Sequence, residues 1–260
     1  MFWYGLALKM AMTAAMVVTA SVAAERSGPF VGALIAVLPT AAGAAYIILA
    51  FEHPPSFIAA SAVGSVAIGA AVSMFCATYT ILAQRRGLIV SLGAALLLWF
   101  VVAAALRAVD WTPATAVALN AVAFAVAIPL TRRYRTTALP AQTKRTAFDI
   151  PLRALAVAIV VALVTTASFR IGSFASGMFA VFPIVLGSFV ATMHPRVGGK
   201  PVASVLAHAQ APLIGLSLGF LALHYFAEPL GSWWAMLVGL LVSVAWNCAL
   251  WAINARKAAA

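Results

Sequence analysis

Apolar residues run through this chain in long stretches, separated by short breaks rich in charge, proline or glycine. Stretches of that length read as helices crossing a membrane, each needing about 20 apolar residues. Nine spans are predicted, at 3–24, 28–51, 57–83, 87–109, 112–131, 151–169, 173–194, 201–225 and 229–253. The fold class this implies is all-α, a polytopic membrane helix bundle. One long connection, residues 132–150, carries Arg132, Arg133, Arg135, Lys144 and Arg145 against Asp149. A loop so basic belongs in the cytoplasm. With it fixed there, nine crossings put the N-terminus outside and the C-terminus inside. Arg26, Arg85, Arg86, Arg153, Arg196, Lys200, Arg256 and Lys257 then join the loop on the inner side, and only Lys9, Arg107 and Arg170 fall outside. Eight or ten crossings would put one half of these charges on the wrong face. Trp3, Tyr4, Trp111, Tyr225, Trp233 and Trp234 fall near the outer boundary, where amphipathic rings settle.

The pattern also repeats. Adding 144 to a residue number carries Lys9 to Arg153, Arg26 to Arg170, Gly28 to Gly172, Phe30 to Phe174, Pro39 to Pro183, Gly43 to Gly187, Ser73 to Ser217 and Gly87 to Gly231 without a gap. Basic, Gly, Phe and Pro matches held in one register over about 100 residues point to an internal duplication. Each copy contains four spans, and the span 112–131 separates them. An odd number of crossings between equivalent points turns the second copy upside down. The predicted organisation is therefore a first four-helix repeat at 1–110, a linking helix and basic loop at 111–149, and an inverted four-helix repeat at 150–260. Inverted repeats are the arrangement of many secondary transporters.

Composition narrows the alternatives. Hydrophobic residues make up 65% of the 260 positions and charged residues 8%, against about 45–50% and about 25% in soluble globular domains. A net charge of +11 would suggest nucleic acid in a soluble protein, but here membrane topology accounts for it, so the expected partner is the bilayer and no nucleic acid. Cys76 and Cys248 lie inside apolar spans and lack the spacing of a disulfide framework or zinc site. The stretch from Leu6 to Val22, ending in Ala23 and Ala24, resembles a signal peptide, yet Lys9 sits within it and no basic region precedes it. It is read as the first crossing.

The segment Gly32-Ala-Leu-Ile-Ala-Val-Leu-Pro-Thr-Ala-Ala-Gly-Ala-Ala-Tyr-Ile47, with Lys9 thirty positions before Pro39, resembles the GlpM-like family of small bacterial inner-membrane proteins. The second half repeats the pattern in Arg153, Gly177-Met-Phe-Ala-Val-Phe-Pro183 and His224-Tyr-Phe226. The resemblance implies a fusion of two such units and a bacterial inner-membrane location. It says nothing about substrate. The second copy departs from the first where Ile184 stands in place of Thr40.

Candidate chemistry centres on Pro39 and Pro183, each about eleven residues into its span. A proline there removes a helix hydrogen bond and frees a carbonyl, which in lipid needs a partner or a cavity. Broken helices at matching positions of two repeats point to a transporter's binding site; the plainer reading is a kink satisfied by a neighbouring helix. Thr40 and Ser188 lie beside these breaks. His208 and Gln210 stand in the span 201–225, where the first copy has only Gly64 opposite His208. An ionisable residue inside a membrane is a functional candidate, and a histidine near pH 7 can take a proton or an anion; a bond to a backbone carbonyl is the plainer reading. Asn247, Asn120, Ser73 and Ser217 are further polar candidates, or interhelical bonds. Gly215 and Gly219 form a small-residue face suited to close packing. Lys9, Arg26, Arg153 and Arg170 would draw anions toward both faces, or serve only as topology signals.

Glu25, Glu52, Asp110, Asp149 and Glu228 all fall at span ends. No carboxylate is then available at mid-membrane to relay protons, and the four histidines share no ligand spacing, so neither an enzyme nor a metal or other cofactor is expected. The functional expectation is a secondary transporter or facilitator of a small solute, an organic anion in preference, by alternating access at the repeat interface. The alternatives are a non-transporting scaffold or accessory subunit of an envelope complex, and a lipid flippase. Oligomeric state is left open, a homo-oligomer included.

Overall fold

In the computed structural model, residues 4, 7, 9–15, 18, 19, 40–135 and 149–259 are described. They are helical almost throughout, with no strand among them. The helices are α1 (Thr40–Glu52), α2 (Pro55–Leu82), α3 (Leu88–Arg107), α4 (Pro113–Arg132), α5 (Asp149–Ala180), α6 (Ile184–Val197), α7 (Gly199–Leu230) and α8 (Ser232–Ala259). Six are long and apolar enough to cross a membrane: α2, α3, α4, α5 from Ala154, α7, and α8 to Ile253. The apolar spans at 57–83, 87–109, 112–131, 201–225 and 229–253 each find one of these. The span 3–24 lies largely, and 28–51 up to Pro39 wholly, outside the described residues.

Local chemistry sets the boundaries. Pro54 and Pro55 open α2, where a missing N–H costs nothing. At α4, Thr112 accepts from the Thr115 amide at 3.2 Å while the Thr115 hydroxyl receives the Thr112 amide at 3.0 Å, with Pro113 next. Between the predicted spans 151–169 and 173–194 the helical run of α5 kinks at Gly172, which adopts φ 80°. A side chain at that φ would be strained. Gly198 and Gly231 join α6 to α7 and α7 to α8 at similar positive φ. The span 173–194 is itself interrupted. Its first arm ends at Ala180, Val181 to Pro183 form a turn, and α6 restarts from a Pro183 cap at φ −75°, ψ 45°.

Helix α2 is the axis of the bundle, buried from Ser61 to Ser73 without interruption. Helices α3, α4 and α8 are inside-out by soluble standards: Ile89, Leu97 and Val101, Val122 and Val126, and Leu237 and Leu241 are exposed. Apolar surface of that extent needs lipid rather than water, so the protein is membrane-embedded. Helix α7 runs antiparallel to α2 along its whole length, from Gly199 beside Ala83 to His224 beside Ala59. Two pairs of helix starts carry the 144-residue offset: Pro55 and Gly199, Leu88 and Ser232.

Charges separate by bundle end. Arg85, Arg86, Arg132, Arg133, Arg135, Arg196, Lys200 and Arg256 belong to one end of the helix array. Glu52, Arg107, Asp110, Arg170 and Glu228 belong to the other, with Trp111, Tyr225, Trp233 and Trp234. At this second end Lys9 pairs with Glu52 at 2.7 Å.

Candidate functional site: a polar seam between α2 and α7

Ser, Thr, Asn and Gln are costly in lipid unless bonded, so their partners reveal how the helices are joined. Along α2 and α7 four cross-links are spaced seven residues apart, the two-turn repeat that returns to one face. Thr80 Oγ1 donates to the Ala203 carbonyl at 3.3 Å. Ser73 Oγ donates to Gln210 Oε1 at 2.8 Å, and Gln210 Nε2 donates back to the Ser73 carbonyl at 3.0 Å. Asn120 of α4 spans the third position, donating to the Val66 carbonyl and accepting from Ser217 Oγ at 3.4 Å. His224 Nδ1 donates to the Ala59 carbonyl at 2.8 Å. Gly69 lies at the middle of the seam, where an added Cβ would lie 2.6 Å from Asn120 Oδ1 and 2.8 Å from Ser217 Oγ.

The broken span packs beside this seam. Ser65 donates to the Gly177 carbonyl at 2.7 Å, so its own oxygen receives the Tyr46 hydroxyl at 2.7 Å. Gly64 and Gly177 allow backbone contact here: a Cβ on either would run into the carbonyl group of Phe174 or of Ser61. Trp99, fully buried, meets Phe182 in the break edge-on at 5.0 Å. Val181, Ser65, Gly69, Leu213, Ser217 and Phe220 enclose a small cavity with room for about one water. Toward the bundle surface an open groove of about 430 Å³ lies between α4 and α7.

No protein-family model, curated protein or solved structure matches the chain.

Among the described residues, those singled out from the sequence are not gathered at one point. Gln210 is fully buried and both ends of its amide bond Ser73, so it acts as a clamp between helices. His208, two residues away, is exposed and bonds the Ser204 carbonyl of its own helix at 2.8 Å. Pro183 is buried in the break; Ser188 bonds the Val185 carbonyl and Asn247 the Ser243 carbonyl, each within its own helix. Arg170 is exposed, and Lys9 holds Glu52. Pro39 and Arg26 lie outside the described residues, as do the side chains of Thr40 and Arg153. Gly215 and Gly219 do pack closely: a Cβ on them would lie 2.6 Å from Trp246 Cδ1 and from the Gly239 carbonyl oxygen, respectively.

Sequence reasoning missed one cluster. His53, in the turn between α1 and α2, stacks on Phe57 at 3.7 Å and meets Phe169 at 4.4 Å. Ser168 gives its hydrogen to the Thr165 carbonyl, so His53 Nε2 donates to Ser168 at 2.8 Å. Burial holds the imidazole below its ordinary range, against the upward pull of Glu52 and with the downward push of Lys9. Its partners are more than 100 residues away in the chain, and no local spacing signals them.

Proposed function

We propose that the chain is a secondary transporter or facilitator of a small solute, preferentially an organic anion, in a bacterial inner membrane. It is built from two inverted GlpM-like repeats, 1–110 and 150–260, with α4 and the basic loop between them. In this reading the broken span 173–194 is one crossing and the spans 3–24 and 28–51 supply two more. The total is then nine, with the N-terminus outside and the basic end of the bundle in the cytoplasm.

The observation that carries the reading is the pair of bonds at the ends of the α2 and α7 seam. The 144-residue offset exchanges Thr80 with His224 and Ala59 with Ala203, so the bonds from Thr80 to Ala203 and from His224 to Ala59 occupy the positions that a two-fold operation between the repeats would interchange. The same offset carries Ser73 and Gln210, bonded directly, onto Ser217 and Val66, which Asn120 bridges. Equivalent helices that run antiparallel are what inversion requires. The break at Val181 to Pro183 beside the small central cavity supports a solute path at mid-seam, with Ser65, Ser217 and Asn120 as its polar groups. Lipid movement is the second reading, favoured by the open apolar groove between α4 and α7.

Two experiments test this. Ser56 and Lys200 are exposed equivalents at opposite ends of the bundle. As single cysteines in a Cys76→Ala, Cys248→Ser background, one and not the other should react with an impermeant maleimide on intact cells; labelling of both from outside sinks the inversion. In liposomes, uptake of labelled mono- and dicarboxylates should stop when cysteines at 80 and 203, or at 59 and 224, are oxidised to a disulfide, and resume on reduction. Flux indifferent to both locks refutes alternating access along this seam, and no flux at all returns the scaffold reading.

A further inference from the structure

The groove between α4 and α7 has an origin in side-chain size. Along α4 the small Ala121 and Ala125 face Ile214, Leu218 and Leu221 of α7, while Asn120 and Ser217 tie the two helices at the floor. What remains is an apolar channel of about 430 Å³, open along one side and within the size range of small-molecule sites. Its α4 wall runs on through Ile128 and Pro129 to the helix end, where Arg132, Arg133 and Arg135 follow at once.

These arginines stand without an opposite charge: none forms an ion pair with a carboxylate among the described residues. Arg135 is oriented by the fold. Its Nε donates to the Ala207 carbonyl of α7 at 3.2 Å, and its Nη2 is buried with no hydrogen-bond partner among the described residues. Arg133 lies over the Tyr134 ring at 4.7 Å. Burial and the neighbouring Arg132 both disfavour the charge on Arg135, a cost that a bound anion would remove.

We propose that this groove is a binding site for an anionic phospholipid, with an acyl chain between α4 and α7 and the phosphate on Arg132, Arg133 and Arg135. Charge complementarity selects the ligand: three cations that follow in the chain just beyond the Ile128 and Pro129 end of a mostly apolar groove fit a molecule that is anionic at one end and hydrocarbon at the other. The proposal needs only that the protein lies in a membrane, and stands whether or not it transports.

The test is native mass spectrometry of the purified full chain, titrated with phosphatidylglycerol and with phosphatidylcholine of the same acyl chains. Phosphatidylglycerol should bind more tightly. Arg132→Gln with Arg133→Gln, both at exposed positions, should weaken it about fivefold per charge removed and leave phosphatidylcholine unchanged. Ala125→Trp, which fills the groove, should weaken both lipids; Ala121→Phe is the second variant should that one not fold. Equal binding of the two lipids by the parent overturns the proposal. So does binding unchanged by the arginine pair or by the groove-filling variants. Displacement of phosphatidylglycerol by glycerol 3-phosphate at equal concentration would reduce the site to a phosphate site and overturn the acyl-chain half.

Discussion

Replacing Gly177 with alanine tests how the broken span is held. An added Cβ would lie 2.6 Å from the Ser61 carbonyl carbon and 3.0 Å from its Cα, and closer to the oxygen. Non-bonded carbons rest at about 3.5–4.0 Å and the Ser61 oxygen lies closer still, so the arm 173–180 must retreat from α2 by more than about 1 Å. Overpacking of this kind costs about 1–3 kcal/mol. The retreat also stretches the bond from Ser65 to the Gly177 carbonyl, now 2.7 Å, whose loss costs about 0.5–1.5 kcal/mol. Alanine returns about 1 kcal/mol in helix propensity, leaving a net loss of about 2 kcal/mol. Thermal unfolding in detergent should then fall by several degrees, at about 2–4 °C per kcal/mol for a chain of this size. Gly93→Ala and Gly187→Ala meet nothing within 4 Å and should match or exceed the parent. If Gly177→Ala melts alongside those two, the backbone contact between the arm and α2 is not what holds the break in place.

The Ser73 and Gln210 clamp predicts a measurable coupling. In a double-mutant cycle with Ser73→Ala and Gln210→Leu, stability in detergent should show an interaction of about 0.6–1.7 kcal/mol, and strict additivity would dismiss the clamp. Acid should weaken the His53 end of the bundle. A histidine whose folded pKa is depressed contributes stability that is complete above its unfolded value, about 6.5, and lost as pH falls through the lower folded value. Melting temperature should therefore drop as pH falls below about 6.5, and His53→Gln should flatten that slope; an unchanged slope removes His53 as its source.

Hydrophobic run length made the long helices legible, because a crossing segment must be apolar over its full length whatever its neighbours. Proline chemistry announced the interruption at Pro183, and the break placed between the spans 151–169 and 173–194 fell where the helix kinks, at Gly172. Partners were not legible. His208 and Gln210 are two positions apart, which on a helix is about 200° of rotation, so one reaches α2 while the other points away from the core. Nothing in the stretch Ala-His-Ala-Gln-Ala says which. The contact of Gly177 with Ser61 and the bond of His53 to Ser168 depend on packing between elements more than 100 residues apart, where spacing rules are silent.

The even spacing of the α2 and α7 cross-links also fixes a lever. Its midpoint falls between Gly69 and Ala70, so the end bonds at Thr80 and Ala59 stand 10.5 residues out, arms of about 16 Å each. A tilt of about 10° about that fulcrum displaces the ends by about 3 Å, enough to break a hydrogen bond, but moves the inner pair at Ser73 and Ser217 by only about 1 Å. Rocking about that point would part the two outer bonds in turn and leave the two inner ones as the pivot.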